Sequence, residues 1–128
     1  MSILLRVAAA YLLVWAILLV LPGAPADIVV PPGPVGHSLA HGLAIADAGF
    51  ALLLWHAARD PVRSPSILYA ALLIFGLRAV IGTYEVLYTL EGRAAEARVV
   101  DLVLCLAAFV GILNLLPSTL KRPPDAAR

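Results

Sequence analysis

The chain has 128 residues, of which 62% are hydrophobic and 13% are charged, whereas a soluble domain carries roughly 25% charged residues. A soluble domain of this length could not hide so much apolar surface, because a small globule leaves a large share of its surface exposed. The formal net charge of +1 argues against a nucleic-acid partner, which calls for many basic side chains.

Four apolar runs follow one another along the chain, and each is close to the ~20 residues that a helix needs to cross hydrocarbon. They cover residues 3–21, 36–58, 66–90 and 99–116, and a polar tail follows at residues 117–128. Helices are required, because a lone strand would leave backbone N–H and C=O groups unpaired in lipid. We therefore predict an all-α, integral membrane, up-down four-helix bundle that forms a single domain over residues 1–128.

The first run allows two interpretations. Arg6, an apolar core and the Ala-Pro-Ala sequence at residues 24–26 have the form of a secretory signal with an A-x-A cleavage site. Retention as a first span is favoured, because the apolar helix is long for a signal core. The connection at residues 22–35 contains five prolines and is predicted to be extended rather than helical.

Lysine and arginine predict the orientation of the bundle. With the N-terminus inside, six of these residues lie on the inner side and two, Arg93 and Arg98, lie on the outer side. The six are Arg6, Arg59, Arg63, Lys121, Arg122 and Arg128. Because basic residues concentrate on the cytoplasmic side, both termini are predicted to be cytoplasmic. The Ala-, Arg- and Pro-rich composition is associated with bacteria, which points to a bacterial inner (plasma) membrane.

Two opposite charges are predicted to lie near the middle of the membrane. By helical rise, Asp47 is about 15 Å below the outer end of the second span, and Arg78 lies at a similar depth in the third. A lone charge at this depth costs several kcal/mol, so we predict that the two form an intramembrane ion pair. Two roles remain open for the pair: a strut that fixes the register of the helices, or a charge switch or transport gate.

A second polar group is predicted nearer the outer surface and comprises His37, His41, Glu85 and Asp101. The two histidines are four residues apart on one helix face, which is a normal spacing for metal ligands, and carboxylates could complete a divalent-metal site. Histidine also titrates near neutral pH, so the group could carry ions or protons. Ordinary polarity at the membrane rim is the third interpretation. The HxxxH spacing alone is a weak metal signal, because the glutamate of HExxH is missing.

Small residues repeat along the second span in two rows. One row holds Ser38, Gly42 and Ala46, and the other holds Ala40, Ala44 and Ala48. Such rows let helices approach closely in lipid, so this helix is predicted to lie at the centre of the bundle. The same rows allow a homodimer or a larger membrane complex.

The favoured function is non-enzymatic: a small membrane protein with a polar interior cluster that handles ions or protons, or an accessory subunit of a membrane complex. The alternative is a metal-binding membrane protein, or a metal-dependent membrane enzyme, that uses His37 and His41. No phosphate-binding glycine loop, serine elbow or dinucleotide fingerprint occurs in the sequence, so no catalytic residue is assigned. The predicted partner is the lipid bilayer.

Overall fold

The computed structural model describes residues 1–21, 34–88 and 92–121, and these residues form four α-helices. The helices are α1 Ser2–Val20, α2 Pro34–Ala57, α3 Pro65–Tyr88 and α4 Gly92–Leu120. All four contain a segment long and apolar enough to cross a membrane, which confirms the prediction of an all-helical, four-helix chain. The proline-rich connection, the candidate cleavage site at residues 24–26 and the end of the tail lie outside the described residues.

The fourth helix differs most from its predicted extent, because it begins earlier and ends later. It starts at Gly92, whose φ of +59° is a left-handed conformation that glycine adopts without steric cost. It continues through Pro117 and ends at Leu120. Proline is tolerated there because it lies in the last turn, so the missing N–H removes one hydrogen bond near an end that frays in any case.

Buried positions recur every three or four residues, so each helix turns one narrow stripe toward the others. On α2 the stripe consists of Gly36, Ala40, Ala44, Asp47, Ala51, Leu54 and Ala57. On α4 it includes Asp101, Cys105, Ala108, Ile112 and Leu116. Both aspartates therefore face protein, while large apolar side chains such as Ile45, which is 73% exposed, face outward.

The bundle consists of two closely packed helix pairs. We call α1 with α2 the first pair and α3 with α4 the second pair, because contact within each pair is much more extensive than contact between them. Apolar side chains from all four helices, including Leu12, Leu54, Phe75 and Ile112, form one core where the pairs meet.

Only one of the two small-residue rows of α2 is packed. Ala40 and Ala44 lie against Ala16 and Leu19 of α1, and this contact brings the helices of the first pair together. The other row, which contains Gly42, is exposed.

The two pairs also approach closely where α1 meets α4. A Cβ atom added to Gly111 would lie 2.9 Å from Leu4 Cδ2 and 3.2 Å from Leu4 Cδ1. Glycine at this position therefore lets α4 pass near the N-terminal turn of α1.

Replacing Gly111 with leucine is expected to lower the thermal unfolding midpoint of the protein in detergent micelles. An enlarged side chain in a packed contact costs about 1–3 kcal/mol, and the helical circular-dichroism signal during heating measures the change. Gly49→Leu is the matched control, because a Cβ at Gly49 meets nothing within 4 Å. Equal midpoints for the two variants would contradict a tight contact between α1 and α4.

Candidate functional site

A chain of alternating acidic and basic side chains crosses the interior of the bundle. Arg78 Nη1 donates a hydrogen bond to Asp47 Oδ1 at 2.7 Å, and Arg78 Nη2 lies 3.4 Å from Asp101 Oδ1. Arg98 Nη1 donates to Asp101 Oδ2, and Arg98 Nε donates to Glu85 Oε2 at 2.6 Å. We call these five side chains the charged network.

Asp101 is the centre of the charged network, and its side chain is fully buried. Besides the two arginines, Asp101 Oδ1 accepts a hydrogen bond from the hydroxyl of Tyr11 and lies 3.7 Å from Cys105 Sγ. Donors on α1, α3 and α4 thus converge on one carboxylate. A buried charge is tolerated only when it is paired and hydrogen-bonded, and Asp101 meets both conditions.

Asp47 is buried but incompletely paired. Its side chain is 8% exposed, and its Oδ1 is bonded to Arg78, whose guanidinium is shared with Asp101. Its second oxygen, Oδ2, is buried and has no hydrogen-bond partner among the described residues. Leaving such a group unpaired costs about 1–3 kcal/mol, and more when it is charged. Asp47 is therefore less completely paired than Asp101.

Burial decreases along the network toward one end of the bundle. The exposed fraction of the side chain rises from 0% for Asp101 to 13% for Arg98 and 36% for Glu85. Glu85 lies about two turns beyond Arg78 on α3, toward the end at which α3 finishes and α4 begins. In the opposite direction along α3 the buried residues are apolar, such as Phe75. The described part of the network is therefore most exposed at the end of the bundle where α3 ends and α4 begins.

Helical spacing and one glycine place these side chains. Arg98 and Asp101 are three residues apart on α4, so they share a face. Gly82 of α3 is buried, and a Cβ atom there would lie 3.6 Å from Arg98 Nε. Arg98 thus passes α3 at van der Waals distance from Gly82 on its way to Glu85.

The sequence predicts two polar layers, a deep layer of Asp47 and Arg78 and an outer layer of His37, His41, Glu85 and Asp101. The structure arranges these residues differently. Asp47 and Arg78 lie in contact, as described above, but Asp101, which was grouped with the outer layer, is bonded to Arg78 and Tyr11. The reason is the early start of α4: from Gly92, Asp101 is about 14 Å along the helix, and not near its first turn. Asp101 thus joins the two layers.

The two histidines of the predicted outer cluster lie apart from the charged network. His37 and His41 are both exposed. The ion pairs described for Glu85 and Asp101 are with arginine and not with histidine. No group of three or more His, Cys, Asp or Glu side chains in the described ranges is arranged to hold a metal ion. Metal binding by the histidines stays a prediction that this geometry does not strengthen.

Two residues of the site were not found from the sequence. Tyr11 was overlooked, although it lies at the middle of α1, where an interfacial tyrosine would not be expected. Arg98 was counted with the outer basic residues, although it precedes Asp101 by three positions and so lies on the same helix face. In both cases the position of the residue along its helix, and not its residue type, indicates that its side chain faces the interior.

Comparison with family models, with curated proteins and with solved structures finds no match to this chain. Among the described residues, the charged network contains the two buried charged side chains, Asp47 and Asp101, of an otherwise apolar core.

Arg78→Met is expected to destabilise the protein by about 3–5 kcal/mol, because it leaves two buried carboxylates without their shared cation. Unfolding in mixed micelles, followed by circular dichroism, measures the loss. Arg63→Met is the matched control: Arg63 pairs with Asp60 at the surface and its side chain is 67% exposed, so this variant should lose about 0–1 kcal/mol. Equal losses in the two variants would show that the network does not hold the bundle together.

Proposed function

We propose that the chain is an integral membrane protein, an up-down bundle of four spans, that handles protons at the charged network. The polarity of the bundle supports membrane insertion. Large apolar side chains cover its outside, such as Ile3, Ile45 and Val80, which are 79%, 73% and 69% exposed. Charged side chains lie inside, which is the arrangement that lipid favours.

The proposed orientation places both termini in the cytoplasm of a bacterial cell, with the protein in the inner membrane. One surface cleft is lined by Met1, by Arg59 of the α2–α3 link and by Thr119 of α4, so the chain start, this link and the end of α4 lie together. Arg6 also lies at this end, 5.9 Å from the centre of the Trp55 ring. At the other end Arg98 is engaged in the network. Basic side chains at the first end thus support a cytoplasmic location for it.

Cysteine labelling tests this orientation. His37→Cys should react with a membrane-impermeant maleimide in intact bacterial cells, and Arg63→Cys should react only after the cells are permeabilised. The wild-type chain is the control, because its one cysteine, Cys105, is fully buried and should stay unlabelled in both conditions. Labelling of Arg63→Cys in intact cells would overturn the proposed topology.

The observation that carries proton handling is the buried Asp47 Oδ2, which has no hydrogen-bond partner in the part of the chain that the structure describes. A proton on this oxygen would turn an unsatisfied charged acceptor into a neutral carboxylic acid, which removes most of the burial cost.

The helix pairs offer a way for a proton to act on the structure. Asp47 belongs to the first pair and Arg78 to the second, and their 2.7 Å hydrogen bond crosses the less extensive contact between the pairs. Protonation of Asp47 removes the charge that holds Arg78, so the pairs are freer to shift against each other. Such sliding of packed helices is a common means of switching.

Asp47→Asn is expected to abolish most proton movement through the protein. In proteoliposomes that contain a pH-sensitive dye, the wild-type rate after an acid pulse should fall by about 100-fold in the variant, the low end of what loss of a positioned proton-transfer group costs. Asp60→Asn is the control, because Asp60 lies in the α2–α3 link and pairs with Arg63. Its rate should match the wild type.

Two results would overturn proton handling. One is a wild-type rate equal to that of protein-free liposomes. The other is an equal rate in the wild type and in Asp47→Asn.

A further inference from the structure

Arg6 is a cation on the apolar outside of α1, where its side chain is exposed. By helical spacing it shares a face with Ile3, Leu13 and Ile17, which are also exposed. In the proposed membrane setting this face meets lipid. The long side chain of Arg6 then extends along the helix to the lipid headgroups at the end where α1 begins.

Arg6 lies against an aromatic ring and has no acidic partner in the described part of the chain. Its Cζ is 5.9 Å from the centre of the Trp55 ring of α2, which is within the range of a cation–π contact. At the same end, Asp60 is paired with Arg63. Neither Arg6 nor the exposed Arg59 belongs to an ion pair among the described residues. The N–H donors in the plane of the Arg6 guanidinium are therefore available to an anion.

An apolar groove of about 340 Å³ runs between α1 and α2. We call it the α1–α2 groove. Buried alanines, Ala16 and Ala44, line it together with larger exposed side chains such as Leu13 and Ile45. The small alanine side chains leave a depression between the larger ones, and this depression has the shape and polarity that suit a hydrocarbon chain.

The groove and the Arg6–Trp55 contact lie on one side of the first pair. Leu13 is seven residues beyond Arg6 on α1, and Ala48 is seven residues before Trp55 on α2, so each lies on the same helix face as its counterpart. Because the helices are antiparallel, both steps lead about 10 Å in the same direction. One leaflet of a bilayer provides about 15 Å of acyl chain, which is enough to reach from the Arg6–Trp55 contact into the groove.

The two features together identify the chemistry of the occupant. Arginine binds phosphate through two parallel N–H donors, and the groove fits an acyl chain. A phospholipid carries both groups in one molecule. A headgroup with a net negative charge balances the uncompensated arginines, whereas a zwitterionic headgroup brings an ammonium group toward them.

We propose that the first pair binds one anionic phospholipid, whose phosphate accepts hydrogen bonds from Arg6 and whose acyl chain lies in the α1–α2 groove. Basic sites at the cytoplasmic ends of membrane helices take such headgroups. The inference rests on the membrane insertion in the proposed function and not on proton handling, since neither Arg6 nor Trp55 belongs to the charged network.

Native mass spectrometry of the protein released from detergent micelles tests the proposal. The probes are phosphatidylglycerol and phosphatidylcholine with identical acyl chains. Phosphatidylglycerol should form a one-to-one adduct at a concentration about tenfold lower than phosphatidylcholine does, because the arginines attract its net charge. Equal adduct formation by the two lipids would overturn the proposal.

One pair of variants tests the headgroup contact. Arg6→Gln should weaken the phosphatidylglycerol adduct about tenfold, since it removes hydrogen bonds between charged groups. Arg63→Gln is the matched control and should bind as the wild type does, because Arg63 is already paired with Asp60. Equal affinities of these two variants would overturn Arg6 as the phosphate ligand.

A second pair of variants tests the groove. Ala48→Phe should weaken the same adduct about tenfold, because the ring occupies the space of the acyl chain. Ala46→Phe is the control on the same helix, since Ala46 is exposed and lies outside the groove lining. Equal adducts in these two variants would overturn the groove as the acyl-chain site, even if Arg6→Gln failed to fold.

The lipid and proton-flux experiments fail independently. An Arg6-dependent adduct without Asp47-dependent flux would uphold the lipid site and overturn proton handling. Asp47-dependent flux without an Arg6-dependent adduct would do the reverse. The cysteine labelling tests membrane insertion separately, because it does not involve Arg6.

Discussion

Burial of the Asp101 carboxylate is the constraint on which the rest of this structure depends. A carboxylate with no exposed side-chain surface requires donors from its surroundings, and here they come from Tyr11, Arg78, Arg98 and Cys105. Because these groups lie on three different helices, their convergence fixes the depth of each helix relative to the others.

A strut and a functional site place different demands on such a network. A strut is most stable when every buried acceptor has a donor, because each unsatisfied one costs free energy. The Asp101 end of the network meets this demand, whereas the Asp47 end does not, since Oδ2 lacks a donor among the described residues. The unsatisfied carboxylate also lies at the contact between the two helix pairs, which is less extensive than the contact within each pair. The network therefore has a fully paired end at Asp101 and an incompletely paired end at Asp47.

Much of the fold could be predicted from the sequence, because hydrocarbon imposes a simple rule on chain length and backbone pairing. The expectation that Asp47 and Arg78 pair also followed from hydrocarbon, because helical rise places both near mid-membrane and a lone charge there is costly. The position of Asp101 did not, because it depended on where α4 begins, and the left-handed Gly92 start is a local feature that hydropathy does not report. The contributions of Tyr11 and Arg98 depend on which face each helix turns inward. Packing between helices decides which face turns inward, and the contact of Arg98 with α3 at Gly82 is one example. The pattern of residues along one helix does not carry this information.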